Sequence, residues 1–370
     1  MSSGGTKRKA VKLMRHDYNV AWICPVSNVE LSPARLLLDT KHQTPDYDSN
    51  YDDNVYKFGS MGKHNVVLAS LPLAMTGNVN AARLTSSVFR TFPNIKIALL
   101  VGIGGGVPLS QPQSDPLKDI HLGDVVVGWS TDKSRLSTIN YEAGRTHVGG
   151  EFEILDHSNR PQWGSLSAIS ALQNDHELHE TEFDVYLDKL RSSDENRKKF
   201  SHPGLEHDRL FKADFKHTGD YGNCTRCQQS TTGLVSRPAR TSEHAREFVF
   251  HFGRIATGGS VIQDGQRRDE ISRLCGGILC IEMEVAGVDA NSPCLVIRGI
   301  SDYADSHKND VWKSYAAGNA AVFARHLLEL IPRTVNSKDE RRGYSETIRG
   351  SQRKMSTAIM ALGETPHSTT

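Results

Sequence analysis

Apolar positions along this chain come in short, dense runs separated by polar turns and by stretches with helical spacing. YNVAWIC (18–24) is apolar almost throughout, the pattern of a strand covered on both faces. ELSPARLLLDTKH (30–42) reads as the helix that follows it. YKFGSMGKHNVVLASLP (56–72) predicts two strands joined by a Gly-containing turn. NVNAARLTSSVFRTF (78–92) places apolar residues at 79, 82, 84, 88, 89 and 92, one face of an amphipathic helix. KIALLVGIGGGVP (96–108) predicts a strand running into a glycine-rich loop. DIHLGDVVVGWS (119–130), FVFHFGRIATGGSVI (248–262), GILCIEME (277–284) and CLVIRGISD (294–302) predict further strands, and YAAGNAAVFARHLLEL (315–330) a last helix. Alternating strands and helices predict one α/β domain over residues 17–333 with a largely buried sheet. Residues 1–16 and 334–370 are polar and aperiodic, and are expected to be flexible tails. Residues 175–245 are highly charged and poor in apolar residues, and are expected to form an insertion on the surface.

Composition narrows the setting. The formal net charge is only +1, so the chain lacks the basic footprint of a nucleic-acid partner. The N-terminal MSSGGTKRKAVKLMRHDY has no apolar signal core. No run approaches the roughly 18–20 apolar residues of a membrane span. A cytoplasmic protein is expected, with the short basic cluster Lys7–Lys9 leaving a nuclear location open. The six cysteines are scattered, which argues against a disulfide framework in that compartment. Cys280 and Cys294 sit in apolar runs and read as core residues. KHTGDYGNCTRC brings His217, Cys224 and Cys227 close in sequence. A structural zinc site needs four ligands, and no second pair is evident, so neither a metal nor any other cofactor is expected.

Polar residues collect at strand ends, where open α/β sheets place their sites. GILCIEMEVAG carries Glu282 and Glu284 on either side of Met283. In an extended chain these glutamates share a face, and if buried each requires a partner. The glycines 102–106 let backbone approach a ligand without an intervening Cβ, although Pro108 rules out a dinucleotide fingerprint. IATGGSVI supplies a second glycine turn. RGISDYADSHK places Arg298, Asp302 and Asp305 at the end of an apolar run. Asp302 reads equally as a general acid or as a helix N-cap.

In this order and spacing, GIGGGVP, DIHLGDVVVG, IATG, EMEVAG and RGISDYADSHK resemble the nucleoside phosphorylase/nucleosidase superfamily, over about residues 17–333. The pattern is most similar to a fungal branch whose domain often precedes immune-type receptor proteins, and which carries the same LFKADFKH…CTRC insertion. The resemblance implies a single three-layer domain with a mixed, partly barrel-like sheet flanked by helices. It also implies cleavage of the N-glycosidic bond of a purine nucleoside or nucleotide. By that resemblance Glu284 binds the ribose hydroxyls, Met283 packs on the sugar, and Glu282 supports them. Asp302 protonates the purine, and Arg298 either orients the carboxylates or serves structure. Gly104 and Gly105, with backbone from Thr257 and Gly258 to Val261, line the substrate. Members are commonly oligomers, so a homo-oligomer is expected.

The superfamily divides between phosphate and water as nucleophile. Phosphorylases carry an arginine and a serine where this chain has Leu100 and Ile103, so two phosphate ligands are missing. Hydrolysis needs a carboxylate to activate water, and Glu30 lies in the matching neighbourhood. CPVSNVE is one residue longer than the usual spacing, so Asn28 competes for the slot. A hydrolase is the reading carried forward, with a phosphorylase and a non-catalytic nucleoside-binding module as alternatives. Arg267, Arg268, His307 and Lys308 lie near the motifs and keep 5′-phosphorylated substrates such as ATP in view.

Overall fold

The computed structural model describes residues 11–130, 136–155, 161–219, 222, 224–228 and 232–333. The described residues up to Ile331 form one compact unit. Of the anticipated tails, 334–370 and 1–10 lie outside the described residues. Residues 11–16 are not a free tail: β1 (Val11–Lys12) pairs in parallel with the strand Thr40–Gln43.

The first half of the chain lays down β2 (Val20–Cys24), α1 (Ser27–Leu36), β3 (Thr40–Gln43), β4 (Lys57–Met61), β5 (His64–Ser70) and α2 (Asn78–Thr91). It continues through β6 (Ile97–Gly106), β7 (Val125–Gly128), β8 (Thr138–Asn140), β9 (Gly144–Thr146) and β10 (Phe152–Ile154). Helices α3 (Trp163–Glu177), α4 (Phe183–Leu190), α5 (Asp194–Phe200) and α6 (Thr225–Gln228) follow. The C-terminal third contributes β11 (Phe250–Gly253), β12 (Ile255–Thr257), α7 (Gly265–Leu274), β13 (Cys280–Glu282), α8 (Val285–Asp289), β14 (Leu295–Asp302) and α9 (Lys313–Leu330).

Period-2 alternation sorts the strand side chains into two cores. Val20, Trp22 and Cys24 of β2, Leu99 and Val101 of β6 and Leu295 and Ile297 of β14 meet α1, α4 and α9 on one face. Ala21, Ile23, Ala98, Leu100, Val296 and Ile300 meet α2 and α8 on the other. The result is a mixed sheet between two helical layers. Gly299 of β14 lets α9 sit directly on the sheet, since a Cβ there would collide with the Ala316 carbonyl.

The sheet forks at β6. One edge of β6 pairs with β14 over seven registered positions. Its other edge is shared, with β2 against Ile97–Leu100 and β13 against Gly105 and Gly106. Because β11 and β12 are separated only by Arg254 yet pair with β7 and β13, the strands β6, β14, β7, β11, β12 and β13 curl toward a barrel.

Four expectations change. The helix after β2 begins at Ser27 and stops at Leu36, and 40–43 is strand because it finds an antiparallel partner in β4. The 248–262 run is two strands. Glycines 102–106 belong to β6 itself rather than to a loop. The 175–245 segment is not confined to the surface: Phe183, Tyr186, Leu190 and Phe200 are buried in the main core, spaced so that charged neighbours face out and hide the pattern in an average over the segment. Among the described residues no helix is long and apolar enough to cross a membrane.

Candidate active site

The chain order Arg298, Asp302 on β14 and Cys280–Glu282 on β13 brings both motifs to the C-terminal half of β6. Asp302 registers with Gly105 from one edge and Ile281 registers with Gly105 from the other. The two motifs therefore flank one glycine.

Arg298 stands at the centre, almost fully buried. Its Nη2 donates to Glu282 Oε2 and, at 3.3 Å, to Glu284 Oε2, while Nη1 donates to the Ile103 carbonyl at 3.2 Å. The two glutamates do not lie side by side on a strand. β13 ends at Glu282, whose carboxylate accepts the N–H groups of Glu284 and Val285 and so starts α8. Glu284 then precedes that helix, and its Oε1 accepts the Gly77 N–H at 3.1 Å. Met283, between them, is partly exposed. Burial raises the Glu284 carboxyl above its ordinary range; Arg298 opposes the shift and the neighbouring Glu282 adds to it.

Glu30 joins this group from α1. It is buried, with Oε2 accepting the Val26 N–H at 2.5 Å and Oε1 accepting the Ile103 N–H at 2.8 Å. A Cβ on Gly102 would collide with its carboxylate, so the glycine makes the space in which Glu30 and Arg298 converge. Burial pushes the Glu30 carboxyl up to about 7, against the pull of Arg298 and of its two amide donors. Asn28 lies in the first turn of the same helix, and Glu30 holds the polar contacts to β6.

Asp302 is buried on the far side of Gly105. Its Oδ2 accepts from Ser301 Oγ at 2.8 Å and pairs with Lys308 Nζ at 3.0 Å, and its Oδ1 accepts the Ala304 N–H at 3.0 Å. The register shifts between Ile300 and Asp302, and Ala304 takes a left-handed φ of 51°. A bulge and a strained non-glycine residue beside an aspartate are devices that re-aim a side chain. Asp302 also lines an open depression of about 420 Å³ with Lys308, Arg209 and Phe211.

The remaining anticipated residues distribute unevenly. Thr257 is buried and in register with Glu282, and Gly258 lies against the Tyr141 ring. Gly104 packs on Cys280 and Gly105 on Ala304. Val261 is exposed. Of the basic residues, Arg268 is buried on the Tyr303 carbonyl and Arg267 pairs with Glu270. Gly77 and Asn78 were not anticipated. Asn78 Oδ1 accepts from Thr257 Oγ1 at 3.3 Å and from the Gly287 N–H at 3.2 Å, tying α2 to the glutamate turn. Only the T-G-N turn opening α2 marks them in sequence.

His217, Cys227 and His307 bring nitrogen and sulfur atoms within 4.8 Å of one another, so Cys227 and His217 do meet, with His307 added. Cys224 Sγ is 3.7 Å from His217 Nδ1.

No family model matches the chain. It is 34% identical over 319 residues to a nucleotide-binding leucine-rich repeat (NLR)-like protein of Hyaloscypha variabilis, covering 86% of this chain and 30% of that protein. It is 28% identical over 100 residues to a death domain-containing ATP nucleosidase of Amphimedon queenslandica, covering 25% of this chain and 19% of that protein. The chain thus spans less than a third of the length of either relative. Its fold matches a 5′-methylthioadenosine/S-adenosylhomocysteine nucleosidase of Neisseria meningitidis with a TM-score of 0.52 at 16% identity, over 84% of this chain and 98% of that one. In its fold the chain is similar to the nucleosidases, and in its motifs it resembles the nucleoside phosphorylase/nucleosidase superfamily.

Proposed function

We propose that this chain hydrolyses the N-glycosidic bond of a purine nucleoside or nucleotide, with Asp302 as the acid and Glu30 as the base. The observation that carries the reading is the convergence of Glu30 and Glu284 on Arg298 beneath the Gly102 backbone. Departure of the base leaves positive, oxocarbenium-like charge on the ribose, and fixed carboxylates stabilise that charge where it develops. Glu284 binds the ribose hydroxyls and contributes this stabilisation. Glu30, with its carboxyl near 7, is poised to take a proton from water at neutral pH. Asp302, across Gly105, donates to the purine ring nitrogen and turns the base into a better leaving group.

Water is favoured over phosphate by two features. Leu100 and Ile103 offer no charged or hydroxyl ligand for a dianion. The Ile103 amide, which an anion would use, already donates to Glu30. The substrate class is adenosine-type, and similarity to an ATP nucleosidase keeps ATP within it.

Chromatographic detection of free base from adenosine, inosine, guanosine, methylthioadenosine, AMP and ATP, each with and without phosphate, tests this reading. Base release independent of phosphate is expected. Release only with phosphate would make the protein a phosphorylase, and no release would leave a nucleoside-binding module.

A further inference from the structure

His217 and Cys224 reach the loop that follows Asp302, at Ser306 and His307, and Cys227 lies at the same junction. Cys227 Sγ is 3.4 Å and Cys224 Sγ 3.7 Å from the same atom, His217 Nδ1. In a tetrahedral zinc site with Zn–S near 2.3 Å and Zn–N near 2.1 Å, sulfur and nitrogen ligands stand about 3.6 Å apart. His307, five residues past Asp302 and absent from the Cys-x-x-Cys neighbourhood in sequence, brings its ring within 4.8 Å of His217 and Cys227, and Cys224 stands just outside this trio with its Sγ donating to the His307 carbonyl at 3.4 Å. His307 is 5% exposed, and neither ring nitrogen has a hydrogen-bond partner. Its ring is stacked on Phe211, centroids 3.8 Å apart, which fixes its orientation. The nearest polar group of the polypeptide is Asp305 Oδ1, 3.6 Å from Nδ1 and beyond hydrogen-bond length, so the buried imidazole is left with nitrogens open to a ligand. The surroundings also suit thiolates: the Thr218 N–H donates to Cys227 Sγ at 3.4 Å, the kind of outer contact that orients metal ligands.

We propose that His217, Cys224, Cys227 and His307 bind one zinc ion, which fastens His217 and the Cys224–Cys227 turn to the loop following Asp302. Binding displaces the two thiol protons to solvent and leaves a site of two thiolates and two neutral imidazoles around a divalent ion. All four positions are filled by protein, so the zinc is structural and takes no substrate. The same junction is reinforced by the His217 N–H donating to Ser306 Oγ at 3.0 Å. Lys308, next to His307, pairs with Asp302, so the ion would hold the partner of the proposed acid in place. That last consequence rests on the proposed function; the metal site does not.

The test is the metal content of the full chain, incubated with excess zinc and freed of unbound metal by gel filtration. One zinc per chain is expected. Cobalt substitution should give the intense visible bands and sulfur-to-metal charge transfer of a tetrahedral thiolate site. His307→Ala should weaken zinc binding by more than the roughly 10–100-fold that loss of an outer-shell partner costs, with Cys227→Ser behaving likewise. A folded wild-type chain that retains no zinc would overturn the site, and this measurement needs no variant to fold. Full zinc retention in His307→Ala would overturn the fastening. Zinc binding without base release would count against the proposed function alone, and base release by a zinc-free chain against the zinc site alone.

Discussion

Two buried ionic clusters sit on this sheet, and their charge balance differs. The first is Arg298 with Glu30, Glu282 and Glu284, three carboxylates around one guanidinium. The second joins the 200–251 segment to the sheet, where Arg237 pairs with Asp208 at 3.2 Å and Arg240 grips Asp124 through two nitrogens. His121 also bonds Asp208 and His251 also bonds Asp124. There, two arginines face two aspartates. Burial pushes both aspartates upward, yet His121 and Arg237 hold Asp208 below the usual carboxylate range, and His251 and Arg240 do the same for Asp124. In the Arg298 cluster burial wins, and Glu30 and Glu284 rise. A balanced cluster is complete as a clamp. In an unbalanced one the excess carboxyls favour their protonated form, so that positive charge developing beside them would draw out their negative charge where a cationic transition state needs it.

Breaking the proposed acid should have the largest effect. Asp302→Asn is expected to keep the fold by circular dichroism and lose about 10²–10⁴-fold in base release. Full activity would remove Asp302 from the mechanism. Arg298→Met leaves three carboxylates without their counter-ion and should cost about 3–5 kcal/mol in urea unfolding. The loss should be greater at about pH 8 than at about pH 6, because Glu30 gives up its proton between them. A cost independent of pH would mean that Glu30 is not part of the cluster. Glu30→Gln should reduce hydrolysis by about 10²-fold while calorimetry still detects nucleoside binding. It should also abolish the rise of rate with pH through about 7.

The smallest effect is on stability itself. A carboxyl whose folded value is raised binds its proton more tightly in the native state than in the unfolded one. Glu30 therefore favours folding below its ordinary range of about 4.5, and that support is lost as pH rises to about 7. Above that range Glu30 is a constant penalty. Unfolding midpoints of Glu30→Gln should accordingly exceed those of the wild type at about pH 8, and a lower midpoint there would contradict the raised value.

Much of the fold was legible because the central strands are covered on both faces. β2 reads as an unbroken apolar run, β14 as one broken only by Arg298 before its polar end, and α2 shows its period plainly. Glu282, Glu284 and Asp302 could be picked out because a charged residue at the end of such a run is conspicuous. Glycines 102–106 misled: they look like a turn, whereas the chain stays extended and uses them for close approach by Glu30, Cys280 and Ala304. Asn78 and Gly77 were invisible because their role depends on α2 meeting α8, a contact between residues some two hundred positions apart. The core residues of 183–200 were hidden by the charges between them. His307 was noted only as a positive charge, because its meeting with Cys227 depends on tertiary folding.

The bond from the Ile103 amide to Glu30 has a further use. An N–H that donates to a carboxyl is polarised more strongly once the carboxyl becomes charged. The Ile103 amide resonance in a ¹⁵N-labelled sample should therefore shift with pH and trace an inflection near 7, with the Val26 amide moving in step. The chain thus carries its own indicator dye: two backbone protons that report the charge of one buried side chain, with no substrate or mutation needed.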